Sequence, residues 1–230
     1  MQDVMRVRGR IDEIFEASGR IDWDDPHAAR KVADDIFDEV ASRPERLVAL
    51  VEEVARDGAA AEAGESYPRM DKLVLWHSAD RSVRLRLHVF FPGYADRTHN
   101  HRWSFVSRIV SGGYVHSLYG SEADVMREIE GGRVPRVVYA GRVQASSEYF
   151  LHHSMVHSLR ADEVAVSLVL RGPSVKDEYF TLADGDGSAG LSERLLWSAG
   201  AARESSDERA SKEMSEDGVA RVVDVLKQLV

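Results

Sequence analysis

From Asp71 to Leu170 the apolar residues recur at every second position rather than every third or fourth, and that period constrains the fold more than any other feature. Lys72-Leu73-Val74-Leu75-Trp76 and Ser82 to Phe91 read as strands joined through the turn-like Ser78-Ala79-Asp80-Arg81. Further strands follow to Leu170, punctuated by Pro92-Gly93, Gly112-Gly113, Gly131-Gly132 and Gly141. Short strands broken by glycine turns predict a sandwich, barrel or jelly roll. No regular alternation of helices with these strands is visible, which argues against a parallel α/β sheet.

The flanks have helical period. Val7, Ile11, Ile14 and Phe15 share a face, and Gly19 sits where that helix would stop. Asp25-Pro26 resembles an N-cap followed by proline at the first helical position, ahead of the stripe Val32, Ile36, Phe37 and Val40. Ser42-Arg43-Pro44-Glu45 has the form of a capping box before Leu47, Leu50, Val51 and Val54, with Gly58 as a stop. After Asp184, the run Asp184-Gly185-Asp186-Gly187-Ser188-Ala189-Gly190 reads as a connector. A second polar run, Arg203 to Glu216, precedes an amphipathic helix with Val219, Val222, Val223, Leu226 and Leu229 on one face. That helix could dock on its own barrel or on a second subunit. The expected organisation is a helical layer over residues 1–60, a barrel over 68–183, and a linker with a terminal helix over 184–230.

Composition removes several classes of function. The chain has 230 residues, 43% hydrophobic and 30% charged, which is ample for one core and ordinary for a globular protein. No apolar stretch approaches the roughly 18 residues of a membrane-spanning helix. Met1 to Arg10 lacks the apolar core of a signal peptide, so no membrane partner and a cytoplasmic location are expected. A net charge of -9 argues against nucleic acid, whose phosphates need a basic surface. With no cysteine, any metal must be held by histidine and carboxylate, which favours Fe(II), Mn, Ni, Cu or catalytic-type Zn.

The chemistry concentrates in His99-Asn100-His101-Arg102-Trp103. On a strand, residues two apart face the same way, so His99 and His101 can aim both imidazoles at one point. A third ligand must then come from a distant strand. Leu151-His152-His153-Ser154-Met155-Val156-His157 supplies it, and His157 heads the apolar stretch through Glu163 to Leu170. His152 and His153 compete with His157 for that role, or stand at the barrel mouth as a gate.

This pattern resembles the two motifs of the cupin superfamily, and within it the group of cysteine dioxygenase and related thiol dioxygenases. Leu85 to Leu118 is similar to the first motif and Val156 to Pro173 to the second. The resemblance implies a mainly β, jelly-roll-like cupin barrel with an N-terminal helical layer and a C-terminal amphipathic helix. It implies His99, His101 and His157 as metal ligands. The usual cupin glutamate ligand is replaced by Phe105 or Val106, so a three-His, open site is expected. The relay Ser-x-His-x-Tyr of the thiol dioxygenases is absent, because Ser167 is followed by Val169 and Arg171.

Other residues carry weaker signals. Arg171 could pair with an anionic substrate through its fork, or be an exposed strand end beside Gly172-Pro173. Arg84, Arg86 and His88 alternate with Leu85, Leu87 and Val89; a solvated row is the commoner reading, a lumen-lining row the other. Arg86 is then a second candidate anion anchor. His116 and Tyr119 could support the metal ligands or line the lumen. Tyr114 and Trp103 read as packing residues, and His27 and His77 have no assigned role. The expected function is an Fe(II)-dependent oxygenase binding O₂ and a small amino-acid-like or anionic metabolite. The alternatives are a Lewis-acid isomerase, lyase or hydrolase using Zn, Mn or Ni, and a binding cupin without turnover. A homodimer is an expectation by analogy alone.

Overall fold

Local signals start and stop the helices at the N-terminus. The computed structural model describes residues 2–56, 64–183, 194–199 and 205–229. Helix α1 (Gln2–Ser18) ends at Gly19, which adopts a φ of +64° that side chains other than glycine rarely take. Helix α2 (Pro26–Ala41) begins as the sequence predicts: the Asp25 carboxylate accepts the His27 backbone N–H at 2.9 Å, and Pro26 occupies the first turn. Helix α3 (Pro44–Arg56) departs from expectation at its start. Ser42, expected to open a capping box, instead closes α2 by donating its N–H to the Asp38 carbonyl at 3.1 Å.

Among the described residues, nine of the twelve strands lie within the stretch that the period-two pattern and its glycine turns bracket. In chain order the strands are β1 (Gly64–Tyr67), β2 (Met70–His77), β3 (Arg84–Phe90), β4 (Tyr94–Ala95), β5 (Phe105–Ser111) and β6 (Gly113–Ser121). After helix α4 (Glu122–Glu130) come β7 (Tyr139–Gln144), β8 (Glu148–Leu151), β9 (Met155–Ala161), β10 (Ala165–Arg171), β11 (Tyr179–Leu182) and β12 (Leu195–Ser198), then helices α5 (Ser206–Ala210) and α6 (Glu216–Lys227). Strand β1 begins ahead of the expected barrel boundary at 68, and β12 falls within the stretch expected to be linker. The glycine-rich connector 184–190 lies outside the described residues.

All pairings are antiparallel. A six-stranded sheet runs β1-β2-β3-β10-β5-β8, a four-stranded sheet runs β4-β9-β6-β7, and β11 pairs with β12. Beside the consecutive pairs, β3 with β10, β10 with β5 and β4 with β9 join strands distant in sequence, as in a jelly roll. The Gly112-Gly113 turn between β5 and β6 is tight: a Cβ on Gly112 would stand 2.0 Å from the Val164 carbonyl oxygen.

Strand β10 is buried along its whole length, at the centre of the larger sheet. Val166, Leu168 and Leu170, with Leu85, Leu87 and Val89 of β3, share a core with Ile36, Phe37 and Leu50 of the helical layer. Removing one such buried side chain costs about 2–5 kcal/mol. Ser167, Val169 and Arg171 alternate to the opposite face, toward the interior between the sheets.

Helix α4 was not anticipated from sequence. Ser121 caps it in a reciprocal box with Asp124, and Val125 and Ile129 pack on Val156, Phe180 and Leu182. Helix α6 docks on its own chain. Val222 and Leu226 join the main core, while Arg221 grips the fully buried Asp71 carboxylate at 2.7 and 2.9 Å. Among the described residues no helix is long and apolar enough to cross a membrane.

Candidate metal centre

His99 and His101 sit not on a regular strand, as expected, but in an extended segment between β4 and β5. The alternation that makes them converge survives because the segment is held on both sides. His99 bridges β9 and β11, exchanging both backbone hydrogen bonds with His157 at 2.9 Å. Asn100, between the two histidines, points the other way and is fully buried. Its amide donates to Glu122 at 2.9 Å and accepts the Phe180 N–H at 2.9 Å, which ties the segment to α4 and β11.

Histidine nitrogens of His99, His101 and His157 lie within 4.8 Å of one another. Nε2 of His101 and Nε2 of His157 are 2.8 Å apart. Two ligands set at right angles about 2.1 Å from an ion are themselves about 3 Å apart, so this spacing suits a shared metal. The outward nitrogens are held too. Nδ1 of His99 can only donate to the Arg97 carbonyl, at 2.7 Å, which leaves Nε2 as the free lone pair. Nδ1 of His157 meets Nε2 of His116 at 3.0 Å; with the proton on His157, its Nε2 also faces inward unprotonated.

Burial keeps these rings neutral. Desolvation, against the Arg97 hydrogen bond, lowers the His99 pKa to about 4. Desolvation, with the neighbouring histidines adding to it, carries His101 and His157 well below the usual range. A neutral imidazole is the metal-binding form. The donor set is therefore three nitrogens with no carboxylate among the ligands, and it fits a borderline divalent ion such as iron(II) or zinc.

His116 supports the centre through His157 and packs on the Tyr149 ring at 4.5 Å. Tyr119 stands apart from it. Its hydroxyl meets Ser158 at 3.3 Å, and its ring lines a groove of about 500 Å³ beside Arg127 and Arg136. His152 and His153 are not in the three-His group. With Asp24 they form a second cluster, in which His152 Nε2 is 3.0 Å from the carboxylate, joining the α1–α2 loop to the β8–β9 turn.

The Arg84, Arg86 and His88 row faces the interior, which overturns the solvated reading. Because Leu85, Leu87 and Val89 are taken by the helical layer, the alternate residues must point between the sheets. There His88 contacts Phe90 at 6.1 Å with Nε2 buried and unpartnered, and desolvation first holds its pKa well below the usual value. Arg171 is 7% exposed, which overturns its reading as an exposed strand end. Desolvation, then Arg86, Arg84 and Arg102, lowers its pKa to about 9. The Trp103 ring lies 4.5 Å from the Arg171 guanidinium, 5.4 Å from Arg102 and 5.9 Å from Arg86, and its centroid is 5.9 Å from that of His101. Apolar residues Phe105, Leu151 and Val169 complete a cluster with Trp103. Sequence reasoning held Arg84 only in the lumen-lining alternative, and missed Arg102 as a member of this group and Asp24 as the partner of His152. For Arg84 the signal was its two-residue spacing from Arg86; Arg102 and Asp24 gave none.

The antiparallel sheets with helices at both ends agree with the mainly β, jelly-roll-like barrel that the sequence predicts. Similar solved structures include an RmlC-like cupin from Shewanella frigidimarina, at 16% identity and a TM-score of 0.38 over 50% of this chain and 86% of that one. KdgF from Halomonas is similar at 15% identity and a TM-score of 0.36, over 47% of this chain and 86% of its own. An oxalate oxidase in complex with the substrate analogue glycolate is similar at 18% identity and 0.36, over 48% of this chain and 55% of its own. No protein-family model matches the sequence, and no curated protein does.

Proposed function

We propose that the protein is a mononuclear non-heme iron(II) oxygenase acting on a small anionic, amino-acid-like metabolite. The observation that carries this reading is one interior holding three neutral, convergent imidazoles beside arginines that, among the described residues, have no carboxylate at ion-pair distance. Iron(II) held by His99, His101 and His157 would bring O₂ and an electron-rich substrate donor together at positions the three protein ligands leave open. A neutral ligand set leaves the ion's full positive charge for an anionic donor.

The chain's own residues have separable tasks. The Arg97 carbonyl and His116 hold the protons of His99 and His157 on the outward nitrogens, so the inward lone pairs stay available. Phe105, Leu151 and Val169 exclude water from one side of the interior, which strengthens electrostatic interactions there. Arg171 and Arg86 orient the anionic end of the substrate. At the position of the thiol dioxygenases' relay histidine, Val169 offers only methyl groups, so the reading does not include oxidation assisted by that relay.

Metal analysis of protein purified without oxygen, followed by O₂ uptake with pooled amino-acid and carboxylate substrates, tests the proposal. About one iron per chain is expected, lost in His157→Ala, with O₂ consumed on substrate addition. Turnover with tightly held zinc and no O₂ would replace the oxygenase by a Lewis-acid isomerase or lyase. Failure to take up any metal would remove the centre itself.

A further inference from the structure

We propose that Arg84, Arg86, Arg102 and Arg171, the last three gathered around Trp103, form a subsite for a dianionic oxyanion group, a phosphate monoester or a pair of carboxylates. Where the rest of the ligand goes rests on the oxygenase reading; the subsite does not.

Three strands of argument converge on it. The first is placement. Arg171 of β10 is directly opposite Arg84 of β3, and Arg86 follows on the same face two residues along. Arg102 comes from the segment carrying the metal ligands, so the cluster closes across two separate parts of the chain. Trp103 gives three of the guanidiniums a common flat face, at 4.5, 5.4 and 5.9 Å.

The second is satisfaction. Nε of Arg86, Arg102 and Arg171 is buried with no hydrogen-bond partner. Arg171 Nη1 reaches only the carbonyls of Ser82, at 3.3 Å, and Gly172, at 3.1 Å. Among the described residues none of the four has a carboxylate at ion-pair distance, although the chain carries 39 acidic residues against 30 Lys and Arg. Counter-charges are plentiful in the sequence, yet Glu65 acts on Arg84 and Arg86 only from beyond ion-pair distance. Buried donors of this kind are normally paired.

The third is shape. Arginine forks match carboxylate and phosphate bidentately, and four of them suit a group with two negative charges better than one with a single charge. The Trp103 ring is also 5.9 Å from the His101 ring, so the indole that meets the guanidiniums also meets one of the three histidines.

The experiment uses metal-free full-length protein, so that anion binding and iron chemistry can fail separately. Inorganic phosphate, succinate and acetate are titrated at constant ionic strength by calorimetry and by tryptophan fluorescence, with Trp103→Phe identifying the reporting ring. Saturable binding of phosphate or succinate is expected, about tenfold or more tighter than acetate. Arg171→Ala and Arg102→Gln should each weaken it about tenfold or more, and Arg127→Ala, on the exposed face of α4, should bind like the parent. Preference for phosphate assigns a phosphoryl group; preference for succinate assigns paired carboxylates. Should Arg171→Ala fail to fold, Arg102→Gln, on a partly exposed segment, decides. Absence of saturable binding, equal binding of acetate, or parental affinity in the folded arginine variants would overturn the subsite. Dianion binding without any iron uptake would retain the subsite and overturn the oxygenase reading alone.

Discussion

Two arginines on the larger sheet have opposite surroundings. Arg108, on β5, faces the helical layer and meets three carboxylates: Asp38 at 2.5 Å, Asp34 at 2.6 Å and Glu148 at 3.1 Å, with its guanidinium 5.2 Å from the Phe37 ring. Burial pulls its pKa down, yet those partners more than offset it and the net shift is upward. Arg171, on the neighbouring β10, faces the interior, has no carboxylate, and is shifted the other way by burial and by three further arginines. Both guanidiniums are charged at neutral pH. The first is met by carboxylates of the fold; the second has only two backbone carbonyls and the Trp103 ring. Two unit charges about 6 Å apart at an effective dielectric near 20 repel by about 3 kcal/mol. A cluster of four such cations is thus a standing cost that one arginine within a carboxylate network does not carry.

The contrast can be broken by substitution. Arg108→Met should lower unfolding free energy by about 2 kcal/mol in urea denaturation, because it leaves Glu148 and α2 without their shared cation. Arg171→Met should move the other way, raising ligand-free stability by about 1–2 kcal/mol as a buried, repelled charge is replaced by apolar volume. A loss of stability in Arg171→Met would mean that the cluster serves the fold, and the distinction between the two arginines would collapse. The smallest effect belongs to Asp38→Asn. That carboxylate is 73% exposed, so the change should stay within about 0.5 kcal/mol and diminish further in high salt.

The same contrast explains what could be read in the sequence. The barrel was legible because its strands alternate and its turns are glycine-marked; Gly112, with no room for a Cβ, is a turn that sequence alone locates. His99 and His101 were legible because extended backbone makes residues two apart converge, even in a segment paired only through isolated bridges. Strand β3 was ambiguous because it is covered on both faces, and alternation does not say which face meets helices and which meets the lumen. Arg102 was silent because its part depends on a loop returning beside β10, which no local pattern records. Helix α4 escaped notice because nine residues between strands give a short periodic signal, and its capping box rests on Asp124 rather than the more familiar glutamate.

Trp23 gives the helical layer a second meaning. Its indole lies against Gly172, where a Cβ would come within 2.4 Å of the ring, and Asp24 beside it reaches His152 at 3.0 Å. One short loop between α1 and α2 therefore touches the residue after Arg171 and the turn that leads into His157. The loop is thereby a shared boundary of both walls, and loosening it removes a contact from each. Occupancy of the interior should reciprocally restrain the loop, since coupling between two sites is the same free energy read from either end.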